Sequence, residues 1–176
     1  MYSVNLTAKE IAGLRAKQDE LLLHMLAYDH GDAKRIQHLL KVWQFAALIG
    51  RQEKLPAAEQ LVLEAAAILH DIGIHLAEQK YQSTAGKYQE QEGPAPAEAM
   101  LRELGYPEDF RTRVCYLIAH HHTYTGVDGR DYRILLEADF LVNAYEDGLS
   151  QHAVQQAGEK IFCTETGKEL LRTVYA

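Results

Sequence analysis

The chain has 176 residues, 47% of them hydrophobic and 24% charged, with a formal net charge of -7. That length suits a single domain with a single core, and no run of Lys and Arg forms the basic stripe that binding to a nucleic acid polymer requires. "MYSVNLTAKE" lacks the basic-then-apolar pattern of a signal peptide, and the apolar runs fall short of a membrane span, which predicts a cytoplasmic protein with no membrane partner.

Thr7 followed by Glu10 predicts a capping box, and Ile11, Leu14, Leu21, Leu22 and Met25 then recur at helical spacing as far as "YDHGD". Asp32 caps the next helix, whose apolar stripe is Ile36, Leu39, Leu40, Trp43, Ala46 and Ala47. A third helix is expected from about Pro56 through "AEQLVLEAAAILHD" to Gly73, with proline in the first turn and glycine as the stop. "KYQSTAGKYQEQEG" is polar and without period, which predicts a loop; residues 77–93 are long and polar enough for a lid.

Pro94 and Pro96 open a helix through "AEAMLREL" that Gly105 closes, and Pro107 opens "EDFRTRVCYLIAHHH". Another helix spans about Tyr132 to Tyr145, and "AVQQAGEKIF" and "KELLRTVY" supply one or two shorter ones. Cys115 and Cys163 stand singly in apolar stretches without CxxC spacing and are expected to be reduced core thiols. No alternation of period two occurs, so the expected fold is all-α: a compact bundle of about seven to nine helices in one domain over residues 1–176.

Several polar residues sit where burial is expected. Asp139 shares a helical face with Leu135, Leu136, Val142 and Asn143, and a buried carboxylate must be hydrogen-bonded, paired or bound to a metal. His38 lies close to an apolar stripe, with Arg35 and Lys41 one turn to either side. His70 and Asp71 end the most apolar helix of the chain. Neighbouring helical side chains diverge by about 100°, so the two converge on one ion most easily at a helix end. Imidazole with carboxylate suits a first-row divalent metal. His120, His121 and His122 end another apolar helix, and all three cannot face one way. Taken singly, each of these is also what a hydrogen-bonded structural residue looks like. His24, His30 and His152 have no supporting neighbours and are read as surface or packing residues.

The order is more specific than its parts. "RIQHLLKVW", "AAAILHDIG", "LIAHHHT" and "ILLEADFLVNAY" follow one another on separate helices, and in this the chain resembles the HD-domain superfamily of metal-dependent phosphohydrolases, whose pattern is H…HD…D. The resemblance covers about residues 20–147, leaving the helices of 150–176 to pack on that core. It implies His38, His70, Asp71 and Asp139 as ligands of one divalent transition metal, with Mn, Fe, Co, Ni and Zn not distinguished. It implies Asp71 and His121 as catalytic residues, and Arg35, His120 and His122 as contacts to substrate. The substrate implied is a small phosphorylated metabolite, a nucleotide or similar compound, cleaved at a phosphate ester or anhydride by an activated water.

The pattern departs from the family at two places. Two-metal members carry a further histidine before a "GAxxA" helix start, where this chain has Tyr88, Gln89, Glu90 and Glu92, which favours one metal. Many members place Lys or Glu three residues after the HD aspartate, where this chain has Ile74. Those departures keep open a metal- or nucleotide-binding module without turnover, and a purely structural helical domain. Oligomeric state is not legible.

Overall fold

The run "AEQLVLEAAAIL" is apolar around almost its whole circumference, so a helix made from it must lie among other helices. A computed structural model describes residues 4–176; the first three residues of the single domain expected over 1–176 lie outside the described part. Its eleven helical segments are α1 (Ala8–Ala16), α2 (Gln18–Tyr28), α3 (Ala33–Gln52), α4 (Ala57–Leu69), α5 (Ile74–Tyr81), α6 (Gly86–Glu92), α7 (Pro94–Glu103), α8 (Glu108–Ile118), α9 (Arg130–Glu146), α10 (Gln151–Ile161) and α11 (Glu165–Val174). The described residues contain no strand. Three boundaries, at Lys17, at residues 70–73 and at Gly93, are breaks in otherwise continuous helical chain, leaving eight helical arms, inside the expected seven to nine.

Helix α4 is the axis. All ten residues from Gln60 to Leu69 are buried, with α3, α8 and α9 packed around them. The small side chains of Ala65, Ala66 and Ala67 let those neighbours approach closely. Residues Ala57–Tyr81, taken across the turn at 70–73, are long and apolar enough to cross a membrane, which the sequence had not suggested. Their most apolar window is 83% buried inside the protein, as the core helix of a globular fold must be.

Local signals hold at several ends. Thr7 and Glu10 form the capping box, and the Asp32 carboxylate accepts from Arg35 N at 3.1 Å. Helix α4, in contrast, stops at Leu69 rather than Gly73. His70 Nδ1 donates to Ala67 O at 2.8 Å, supplying a side-chain donor to a carbonyl at the helix end. Ile72 N to Leu69 O and Ile74 N to Asp71 O then wind the chain into tighter turns.

Of the loop expected over 80–93, residues 82–85 are a loop, while the rest is the end of α5, the whole of α6 and the break at Gly93. Tyr81 and Tyr88 stack at 4.1 Å and 9°, and Tyr81 Oη donates to Glu92 at 2.8 Å. Aromatic and amide groups hold this arm, so the sequence shows no aliphatic period there. Cys115 is half-buried as a free thiol, but Cys163 is exposed, because it lies in the turn between α10 and α11 rather than inside a helix. The last two helices dock through Glu137 of α9, whose Oε1 accepts from Cys163 N at 2.7 Å and Thr164 N at 3.0 Å.

Gly73 fixes the turn after Asp71 against the α6–α7 break. A Cβ there would lie 2.5 Å from Gly93 N and 2.7 Å from Gln89 O, both backbone atoms. Gly73→Ala is therefore expected to destabilise the fold by about 1–3 kcal/mol through overpacking. Gly13→Ala, exposed in α1 with open space around its Cβ, should stabilise by about 0.5–1 kcal/mol. Denaturant midpoints at unchanged m-value check both signs.

Candidate metal centre

Four elements bring their polar residues to one point. The turn after α4 supplies His70 and Asp71, α3 supplies His38, and α9 supplies Asp139. His38 Nε2 lies 3.1 Å from His70 Nε2, 3.2 Å from Asp139 Oδ1 and 3.5 Å from Asp71 Oδ2. His70 Nε2 lies 3.5 Å from Asp139 Oδ1 and 3.6 Å from Asp71 Oδ1. His121 Nε2, from the turn after α8, comes within 3.3 Å of Asp71 Oδ1. His70 and His121 are fully buried, and Asp139 is 2% exposed.

The protons of the rings are placed by their outer nitrogens. His70 Nδ1 faces Ala67 O, and His121 Nδ1 faces Ile118 O at 2.7 Å. A carbonyl only accepts, so each Nδ1 carries the hydrogen. His38 Nδ1 donates in the same way to Glu146 Oε2 at 2.8 Å. In the neutral rings every Nε2 therefore presents a lone pair to the centre, beside two carboxylates.

Lone pairs gathered this closely repel unless a proton or a cation lies among them. Asp139 Oδ1 and His121 Nε2 are buried with no hydrogen-bond partner. With bonds near 2.1 Å, adjacent ligands of one ion stand about 3.0 Å apart in an octahedron and about 3.4 Å apart in a tetrahedron. The separations observed, 3.1 to 3.6 Å, start within that range and end just above it. The mixed imidazole and carboxylate set also suits a first-row divalent ion, so these residues fit the metal that the sequence pattern implies.

Without a cation the cluster holds protons instead. Burial works against a charged His70, but the Asp71 and Asp139 carboxylates outweigh it and raise its pKa to about 9. His38 is raised too, its burial overcome by its contact with Asp139 and the charge of Asp71. Asp71 and Asp139 lie well below the ordinary carboxylate range: burial raises them, and the neighbouring histidines outweigh it.

Above the cluster opens a cleft of about 640 Å³, lined in part by His38, Asp71, Ile74, Arg35 and His122. Arg35 reaches it, but its Nη2 donates to Glu78 at 2.7 Å and its Nη1 is paired with Asp32. His122 lines the cleft with Nε2 buried and without a partner, and burial and His121 push its pKa down to about 4. His121 is sealed beneath Asp71 and does not line the cleft. His120 turns away altogether: its ring packs on Tyr116 at 4.3 Å and its Nδ1 donates to Tyr116 O at 2.7 Å. Asp71, His121 and His122 make a second group of donors sharing Asp71 with the first, so atoms for a further ion are present without a histidine in 88–92.

Glu146 has no reading from the sequence, and Gln89 is read there only as one of the residues standing where two-metal members carry a histidine. Glu146 holds the outer nitrogen of His38, while its other oxygen takes Lys41 Nζ. It follows Asp139 by seven residues, two turns along one face of α9, which is the signal that points to it. Gln89 lines the cleft with its Oε1 buried and unpartnered. Its place in the segment where two-metal members carry a histidine is the signal that points to it.

A family model described as the HD domain matches residues 35–147, which is more than half the chain and takes in every donor named above. A crystal structure from an uncultured Thermotogales bacterium, described as that of a predicted HD superfamily hydrolase, superposes with a TM-score of 0.67 at 23% identity. The match covers 90% of this chain and 85% of that one. No curated protein matches the sequence at a significant level.

The centre predicts its own metal chemistry. Elemental analysis of protein purified without added metal or chelator should find a transition metal in the wild type and none in Asp71→Ala. Glu146→Gln leaves the four inner residues in place but weakens the hydrogen bond that orients His38. Its affinity for the ion should fall about 10- to 100-fold, measured by competition with a chromogenic chelator.

Proposed function

The chain belongs to the HD domain family, and from that premise we propose a cytoplasmic, metal-dependent phosphohydrolase that cleaves a phosphate ester or anhydride of a nucleotide or similar small metabolite. The observation that carries the reading is the set of inward-facing Nε2 and carboxylate donors at the floor of an open cleft. His38, His70, Asp71 and Asp139 would hold one divalent transition metal. When bound, the ion supplies Lewis acidity toward a water and a phosphoryl oxygen.

The protein's own groups do the rest. Asp71 lines the cleft and is ionised, so it can accept a hydrogen bond from the attacking water and orient it. Water oxygen bonds to phosphorus as the bond from phosphorus to the leaving oxygen breaks. The water proton passes to a cleft base, and the leaving oxygen takes up a proton in turn. His122 fits that transfer better than His121, because the residue lines the cleft, the ring is neutral near pH 7, and its buried Nε2 makes no hydrogen bond. Lys34 and Arg35 line the cleft, Arg35 paired with Asp32 and Glu78 and Lys34 open to a phosphate.

Phosphate release from a panel of esters and anhydrides, with Mn, Fe, Co, Ni or Zn supplied in turn, tests the proposal. Activity should require metal and vanish with chelator. Asp139→Asn should lower kcat/KM by about 100-fold or more, since even changes outside the ligand set cost about 10- to 100-fold. Release of phosphate that a chelator leaves untouched would overturn it.

A further inference from the structure

The cleft holds more negative than positive charge once its ion pairs are counted. Arg35 is paired with Asp32 and Glu78, with only its buried Nε lacking a hydrogen-bond partner, so Lys34 is the one lining cation without a carboxylate partner among the described residues. Asp32 is paired with Arg35, so the carboxylates that stand against Lys34 are Asp147 and, at the metal centre, Asp71. Glu146 is held by His38 and Lys41. Asp147 makes no ion pair, and it caps the C-terminal end of α9, where no basic residue occupies the last turn. A carboxylate is disfavoured at that end of a helix, and a local rule broken beside a cleft points to use in that cleft.

The remaining wall is of another kind. Tyr124 and Leu149, both substantially exposed, line it with Phe140 and Asn143. Gln89 adds a directed acceptor: its Nε2 donates to Thr84 O at 2.7 Å, which fixes the amide. Its Oε1 is thereby left buried and waiting for a donor.

We propose that the cleft selects a phosphate monoester of an uncharged leaving group, one bearing hydroxyls and a flat ring, and rejects the corresponding di- and triphosphates. This deepens the phosphohydrolase reading and rests on it. One phosphoryl group meets the metal centre and Lys34. Each further phosphate brings charge toward Asp147 with no second unpaired cation to receive it. A hydroxyl of the leaving group donates to Gln89 Oε1, and its ring packs against Tyr124, Phe140 and Leu149. Cleavage is of the phosphorus–oxygen ester bond, water supplying the new oxygen, with inorganic phosphate and the alcohol as products.

AMP, ADP and ATP are the probes, because they share a leaving group or its extension and differ in charge. For the metal-loaded wild type, kcat/KM for AMP should exceed that for ADP and ATP by about tenfold or more, and calorimetry should rank the affinities in the same order. Asp147→Asn should narrow the AMP-to-ADP ratio roughly threefold or more, chiefly by improving ADP. Equal use of all three nucleotides with release of phosphate overturns the selection while upholding hydrolysis. Selective binding of AMP without phosphate release upholds the selection and overturns the hydrolytic reading. An AMP that binds no more tightly than ADP, or an Asp147→Asn ratio that does not move, overturns the proposal.

Discussion

Three acceptors, the carbonyls of Ala67 and Ile118 and the carboxylate of Glu146, hold the δ1 protons of His70, His121 and His38. That constraint decides what the centre can be. An imidazole free to rotate or change tautomer could have turned an N–H toward Asp71 or Asp139 and made an ordinary buried hydrogen bond. Held from behind, the three rings offer only lone pairs, and the carboxylates offer only more of the same. The site is stable with a cation inside it or with protons taken up in its place.

This also explains why the most buried helix of the protein ends at the chemistry. Moving an ionised carboxylate out of water costs several kcal/mol even after relaxation, and Asp139 is nearly inaccessible. A surface loop could not hold it without solvent intruding. The packing of α3, α4 and α9 fixes three backbones at once, and the glycine contact between Gly73 and Gly93 fixes where the turn after Asp71 leaves. Metal affinity is then coupled to proton release, because His70, raised to about 9, is charged near pH 7 when no ion is present. Acidification opposes loading, and the same protons keep the empty cluster tolerable.

How much of this is legible in the sequence depends on the kind of interaction. The four inner residues and the all-helical fold can be read because burial leaves a pattern: His38, His70 and Asp139 are polar interruptions of apolar stripes, in a recognisable order. The split roles of His120, His121 and His122 cannot be read, since consecutive residues at a helix end diverge by angles that only the turn geometry sets. The structure buries one, opens one to the cleft and stacks one on Tyr116. The arm of α5 and α6 is hidden for a different reason. It is held by stacked tyrosines and by Glu92, contacts that join residues seven and more apart and leave no aliphatic period. The orphan oxygen of Gln89 is likewise a product of long-range packing.

Net charge gives the last step. A chain of formal charge -7 is a poor attractor of anions at long range, where screening within about 8 Å at physiological ionic strength leaves little to steer them. On the proposed function, its affinity for a phosphate comes from a few contacts in the cleft. Those contacts are the metal centre and Lys34, and they are ringed by carboxylates that belong to the fold: Asp32 caps α3, and Glu146 positions His38. The acids that build the centre therefore also limit the charge it can accept. Under the proposed selection, discrimination among phosphates follows from the scaffold itself, with Asp147 as the one rim carboxylate for which the fold has no other evident use.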